Sequence, residues 1–123
     1  MKEDSRRNTA GRGEEAAVAY LRSQGYRIIA RNWRCRLGEI DVVARDGDVL
    51  VFVEVKSRRS SAFGTPQAAV DARKQRKLSL VALQYLQAER VSPGPARFDV
   101  VAVTLRDGRD EIELFRNAFD FCR

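Results

Sequence analysis

The spacing of apolar residues changes several times along this chain, and each change marks an element. Residues 1–10 are polar and mixed in charge and predict a flexible N-terminal tail, which leaves 11–123 as one domain. Over residues 11–24, Ala17, Tyr20 and Leu21 recur at helical intervals, and Gly25 follows as a C-terminal stop. Residues 26–32 contain Ile28 and Ile29 in a β-prone run and predict a first strand, leading through Trp33 towards residues 38–56. Two strand-like runs follow there. The polar, basic stretch 57–64 predicts a loop, Thr65-Pro66 a short turn, and Asp71 the cap of a helix reaching about Arg90. In that helix Leu78, Val81, Ala82, Tyr85 and Leu86 form the inward stripe. Beyond Ser92-Pro93-Gly94-Pro95, residues 97–105 form an apolar fourth strand, and Asp107-Gly108 turns into an edge strand over 111–115. A helix between the third and fourth strands permits a parallel crossover, so the order predicts an α/β domain with a mixed sheet.

Within residues 38–56, Asp46-Gly47 is a hairpin signal, because glycine accepts the positive φ of a tight primed turn. With Asp46 and Gly47 as the loop, Arg45 faces Asp48, Asp41 faces Phe52 and Glu39 faces Glu54. Glu39, Asp41, Glu54 and Lys56 then share one face, with Asp41 diagonally across from Glu54. The opposite face carries Ile40, Val42, Val49, Val51, Val53 and Val55. Leu50 and Phe52 are apolar as well, so the second run reads as a central strand covered on both sides. Carboxylates at the end of such a strand are costly unless compensated. Divalent metal would compensate them: Mg²⁺ prefers oxygen ligands and waters and takes one or two protein carboxylates, so Asp41 and Glu54 suffice as a core pair. Lys56, on the same face, would position or help deprotonate an attacking water or neutralise a phosphate. Glu14 sits at the margin of the first helix's stripe, where its ordinary role is a helix-start acid favoured by the macrodipole. Asp99 is the one acid in the fourth strand's apolar run, read either as an outer partner of the carboxylate site or as a strand-end residue.

Charge sharpens this picture. The net charge is +6, and residues 56–77 account for all of it, with Lys56, Arg58, Arg59, Arg73, Lys74, Arg76 and Lys77 against Asp71 alone. A basic stretch directly after the acidic strand end predicts a polyanion surface beside the site, so Arg58, Arg59, Arg73, Lys74, Arg76 and Lys77 are the candidate nucleic-acid contacts. Lys74 continues the helix's inward stripe at the end where the dipole opposes a cation, so a phosphate contact explains it better than stability does. The two cysteines, Cys35 and Cys122, lack metal-ligand spacing, and there is no histidine to join them. No apolar run reaches membrane-spanning length and no secretory region is visible, which predicts a cytoplasmic protein without membrane contact.

Asp41, twelve further residues and then Glu54-Val55-Lys56 is similar to the PD-(D/E)XK nuclease signature. More specific are Gly13-Glu14, Gly38-Glu39-Ile40-Asp41, the run Val51–Lys56 followed by Arg58, Phe63-Gly64, Lys74, Phe98-Asp99-Val100-Val101 and Asn117-Ala118-Phe119. In this order they resemble the bacterial YraN-like family, related to archaeal Holliday-junction resolvases. The resemblance implies a restriction-endonuclease-like fold, a mixed sheet flanked by helices with an αβββαβ core plus an edge strand. It also implies that Glu14, Asp41, Glu54 and Lys56 correspond to the catalytic acids and lysine. Ile40 stands where the nuclease motif has proline. The function expected is a Mg²⁺- or Mn²⁺-dependent endonuclease acting on DNA, including branched or recombination-related structures, with a homodimer left open. The alternative is a non-catalytic nucleic-acid-binding module or partner protein that keeps the fold.

Overall fold

In a computed structural model the described residues are 2–59 and 70–122, with side chains from residue 11 onwards. Seven elements follow in order: α1 (Lys2–Ser23), β1 (Arg27–Cys35), β2 (Gly38–Asp46), β3 (Val49–Arg58), α2 (Ala72–Ala88), β4 (Ala96–Thr104) and β5 (Glu111–Phe119). The strands form one sheet in the order β1-β2-β3-β4-β5. Only β3 and β4, joined through α2, run parallel; the other neighbouring pairs are antiparallel. The fold is therefore a mixed α/β arrangement with two helices on a five-stranded sheet. No helix among the described residues is long and apolar enough to cross a membrane.

The helices cover opposite faces. On one, Ala17, Val18 and Leu21 of α1 pack over Val42, Val51, Val53, Val101 and Val103. On the other, Leu78, Val81, Ala82 and Tyr85 of α2 pack over Val43, Leu50, Phe52, Phe98 and Val100. Both faces of β3 are thus apolar up to Val53, as its composition predicts for a central strand. Trp33 packs edge-on against Tyr85, with ring centroids 5.2 Å apart, and its indole N–H donates to Glu89.

Several details differ from the sequence reading. Helix α1 begins at Lys2, so residues 2–10 continue the helix where the polarity of the segment predicts a tail. Its buried stripe is Ala17, Val18 and Leu21, with Tyr20 only partly covered. Strand β1 extends to Cys35, β3 to Arg58 and β5 to Phe119, because in each case a neighbouring strand continues to offer hydrogen-bond partners. Ser57 and Arg58 thus belong to a strand and not to the loop expected from residue 57. Thr65-Pro66 and Phe63-Gly64 lie outside the described residues. Ile40 joins the α2-side cluster, whereas Val42 belongs to the α1 side, so the two do not share the apolar face that strict alternation predicts.

The hairpin turn is corrected too. Asp46 pairs with Val49, which makes Gly47-Asp48 the two-residue turn. Gly47 has φ of 59° and Asp48 is not in the positive-φ region. That is the II′ pattern, with glycine first, whereas a turn at Asp46-Gly47 of type I′ would need positive φ at both residues. The register moves by two, so face parity survives while the partners change.

Candidate active site

With Val42 opposite Val53 as the last regular pair of β2 and β3, one further step along each strand reaches Asp41 and Glu54. The two acids thus lie just past the last regular pair, near enough for Glu54 to act on the Asp41 charge. Asp41 turns its carboxylate onto β3, where Oδ2 accepts the Val55 backbone N–H at 2.8 Å. Glu54 is buried, continuing the α2-facing side of β3 after Leu50 and Phe52. Both acids line a cavity of about 360 Å³ between the β2–β3 end and the first turns of α2, together with Glu39, Lys74, Lys77 and Arg34.

The electrostatics of this cavity are unbalanced. Burial first, and then the neighbouring Glu54, push the Asp41 carboxyl from its ordinary 3.8 to about 7. The Val55 N–H pulls it back down, and Glu39 and Glu14 add smaller upward pushes. Glu54 has cationic company. Lys56 Nζ lies 3.7 Å and Lys74 Nζ 3.8 Å from the same oxygen, Oε1. Two ammonium groups from different elements thus converge on one carboxylate. Lys74 is brought there by the Asp71 cap, whose side chain accepts the Lys74 backbone N–H at 2.8 Å and fixes the start of α2.

The remaining expected site residues fall into three places. Glu39 lines the cavity and accepts from Arg34 Nε across the β1–β2 pair. Glu14 does not line it: it lies on α1, where Asn32 Nδ2 donates to its Oε1 at 2.7 Å and Arg31 approaches at 3.4 Å. It remains near enough to raise the Asp41 pKa. This approach of α1 depends on Gly13, where an added Cβ would stand 1.7 Å from Ser57 Oγ. Asp99 is elsewhere. It faces α1 with no exposure, takes the Tyr26 hydroxyl at 2.6 Å, Arg97 Nε at 2.9 Å and the Asn117 backbone N–H at 2.9 Å, and so holds a structural network rather than the carboxylate cavity.

Of the basic residues, Lys77 lines the cavity, and Arg73 and Arg76 are exposed on α2 beside it. Arg58 ends β3 in a separate recess with Thr104 and Glu113, and Arg59 follows it on the surface. The basic run is thereby divided between two places. Sequence reasoning missed Arg34 and Asn32. A register for β1 against β2 would have exposed the first, since Arg34 lies opposite Glu39. Nothing short of the fold signals the second, an asparagine at φ of 54° inside a strand.

Among the described residues no group of three or more His, Cys, Asp or Glu side chains closes into a metal-binding set. The donors present are the two carboxylates, an oxygen pair that suits a hard cation completed by waters or phosphate oxygens.

The pattern that defines the uncharacterised protein family UPF0102 matches residues 13–103. A UPF0102 protein of Syntrophus aciditrophicus is 56% identical over 108 residues, covering 88% of this chain and 85% of its own length. Another, of Symbiobacterium thermophilum, is 56% identical over 108 residues, covering 87% and 92%. A third, of Pelotomaculum thermopropionicum, is 48% identical over 118 residues, covering 94% and 98%.

Proposed function

The chain belongs to the uncharacterised protein family UPF0102, and from its site we propose a divalent-metal-dependent endonuclease acting on DNA, built on a restriction-endonuclease-like fold of the PD-(D/E)XK type. The observation that carries this reading is the crowding of Asp41 against Glu54 in one cavity with two lysines on the second acid. A purely structural acid pair would be expected to avoid such crowding, since it raises a carboxyl to about 7. Asp41 and Glu54 would hold Mg²⁺ or Mn²⁺. When bound, the cation supplies charge neutralisation and an acidified water.

The chain's own groups do the rest. Lys56 and Lys74 both bring an ammonium group to Glu54, Lys74 from the cavity wall, one to orient the attacking water and one to meet a scissile phosphate. Lys77, with Arg73 and Arg76 beside it on α2, extends the positive surface along which a backbone would lie. Glu14, oriented by Asn32, stands behind Asp41 and keeps the local charge negative enough to favour a cation.

The test is cleavage of duplex, single-stranded and four-way DNA with Mg²⁺ and with Mn²⁺. Wild type should cut at least one; Asp41→Asn, Glu54→Gln and Lys56→Ala should not, while still binding. A second reading, a nucleic-acid-binding module without turnover, draws on the lack, among the described residues, of any group of three or more His, Cys, Asp or Glu side chains that could hold a metal. It prevails if wild type binds DNA but cuts none of the three with either metal.

A further inference from the structure

The turn between β1 and β2 is formed by Arg36 and Leu37, between the paired residues Cys35 and Gly38. Tight turns favour Gly, Asn and Asp, whose short side chains fit the local backbone. Here the tip is a leucine 46% exposed, gaining little from the fold. The other large exposed apolar side chains among the described residues, Ile29, Leu80 and Leu83, lie within a strand or a helix and not at a turn. Leu37 is also flanked by charge. Arg36 is exposed and has no ion pair among the described residues, and Arg34 keeps 75% of its side chain exposed despite its bond to Glu39.

The turn stands at the rim of the cavity that holds Asp41 and Glu54. Cys35 and Gly38 form part of the cavity wall, and the turn rests on α2 so closely that a Cβ at Gly38 would lie 3.1 Å from Lys77 Cε and 3.2 Å from Val81 Cγ2. The close approach of Gly38 to α2 anchors one end of the turn. Arginines meet phosphates, and an apolar tip between them meets what phosphates flank, the faces of bases; proteins that open a base step insert side chains of this kind. Leu37 has no such work to do against a smoothly stacked duplex.

Resting on the nuclease reading above, we infer that Leu37 is a wedge entering a base step beside the phosphate held at the carboxylates, and that the preferred substrate is a nucleic acid whose stacking is already interrupted there. An intact duplex must first be unstacked, which costs binding free energy; a gap or an unpaired base has met that cost beforehand. Leu37 thereby sets specificity, while Asp41 and Glu54 set the chemistry.

The experiment uses the full chain without Mg²⁺ or Mn²⁺, so that nothing is cut, and duplexes carrying 2-aminopurine beside a one-nucleotide gap or in continuous sequence. Wild type should raise the fluorescence of the gapped probe and prefer it by about tenfold, the scale that burial of one apolar side chain supports. Leu37→Ala should bring the preference towards one and remove most of the fluorescence change. Leu37→Phe, another intercalating side chain, should retain both, and Leu83→Ala should behave as wild type. Equal preference and fluorescence in wild type and Leu37→Ala would overturn the wedge while leaving the nuclease reading standing, and would point to a protein partner for the exposed leucine. Failure of wild type to bind either probe would overturn the wedge as well, while the nuclease reading stands or falls on the cleavage test.

Discussion

At the scale of single residues, Asp41 and Asp99 show how the same residue type serves two ends. Asp99 is buried with a full set of donors, so its charge is used in holding Tyr26, Arg97 and the Asn117 backbone together. Asp99→Ala would leave those donors facing a void and should destabilise the protein by about 3 kcal/mol, as loss of one partner from a buried charge network does. Chemical denaturation would measure it; a loss below 1 kcal/mol would mean the network is dispensable. Asp41 has one backbone donor and several negative neighbours, and its pKa stands near 7 in the folded chain against 3.8 ordinarily. Between those values the folded state holds a proton that the unfolded state has released, so stability falls as the pH rises through the window. The upper bound is about 1.4 kcal/mol for each pH unit. Below pH 4 the penalty is absent, and above 7 it is constant. Asp41→Asn removes it, so without metal the variant should gain on wild type from pH 4 to 7 and hold that gain at higher pH. A stability difference independent of pH would refute the assignment of the shifted group.

At the scale of elements, the close approach of α1 to β3 controls where Glu14 stands. Two glycines in the same helix separate local from tertiary effects. A Cβ at Gly11 meets nothing within 4 Å, so Gly11→Ala should stabilise by about 1 kcal/mol through helix propensity alone. A Cβ at Gly13 meets Ser57 Oγ at 1.7 Å and Ser57 Cβ at 2.7 Å. Gly13→Ala should therefore be less stable than wild type, overpacking of about 1–3 kcal/mol outweighing the same propensity gain. Thermal melts of the two variants check the contrast; Gly13→Ala as stable as Gly11→Ala would show that α1 is free to retreat. What the sequence makes legible follows the same division. Helical and strand periods report local backbone and burial, so the order of elements, the Asp71 cap and both faces of β3 are readable from residues alone. Register is a contest between near-equal turns, and Asp46-Gly47 lost to Gly47-Asp48 on the φ of one residue. Because the loss was by two residues, Asp41 and Glu54 kept their common face. Asp99's place is not legible locally, since β4 sends it to the α1 side through its parallel pairing with Val53, and its partners come from Tyr26 and β5.

At the scale of the whole molecule, the excess positive charge is not spread as the linear run from 56 to 77 suggests. Lys56 and Lys74 approach Glu54, and Arg58 lines a separate recess with residues of β4 and β5. Elsewhere arginines are neutralised at close range, Arg12 by Asp110, Arg31 by Glu15 and Arg106 by Glu111. Arg73, Arg76 and Lys77 remain in one short stretch of α2 without an ion pair among the described residues, and Lys77 borders the carboxylate cavity. These three are cations beside the carboxylate cavity that are available to displace counterions from a nucleic-acid backbone. Each phosphate neutralised on duplex DNA adds about −0.9 to the slope of log affinity against log salt, so replacing all three by glutamine should flatten the slope by about 2.7. Lys74→Gln should change it by about 0.9 at most, the share of one phosphate, because its ammonium also lies 3.8 Å from Glu54; its larger effect belongs to metal affinity and turnover. The measurement is DNA affinity across a salt series without Mg²⁺ or Mn²⁺. A triple variant with the wild-type slope, or a Lys74 variant that alone accounts for most of the change, would move the DNA-binding surface away from α2 and break its link to Asp41 and Glu54.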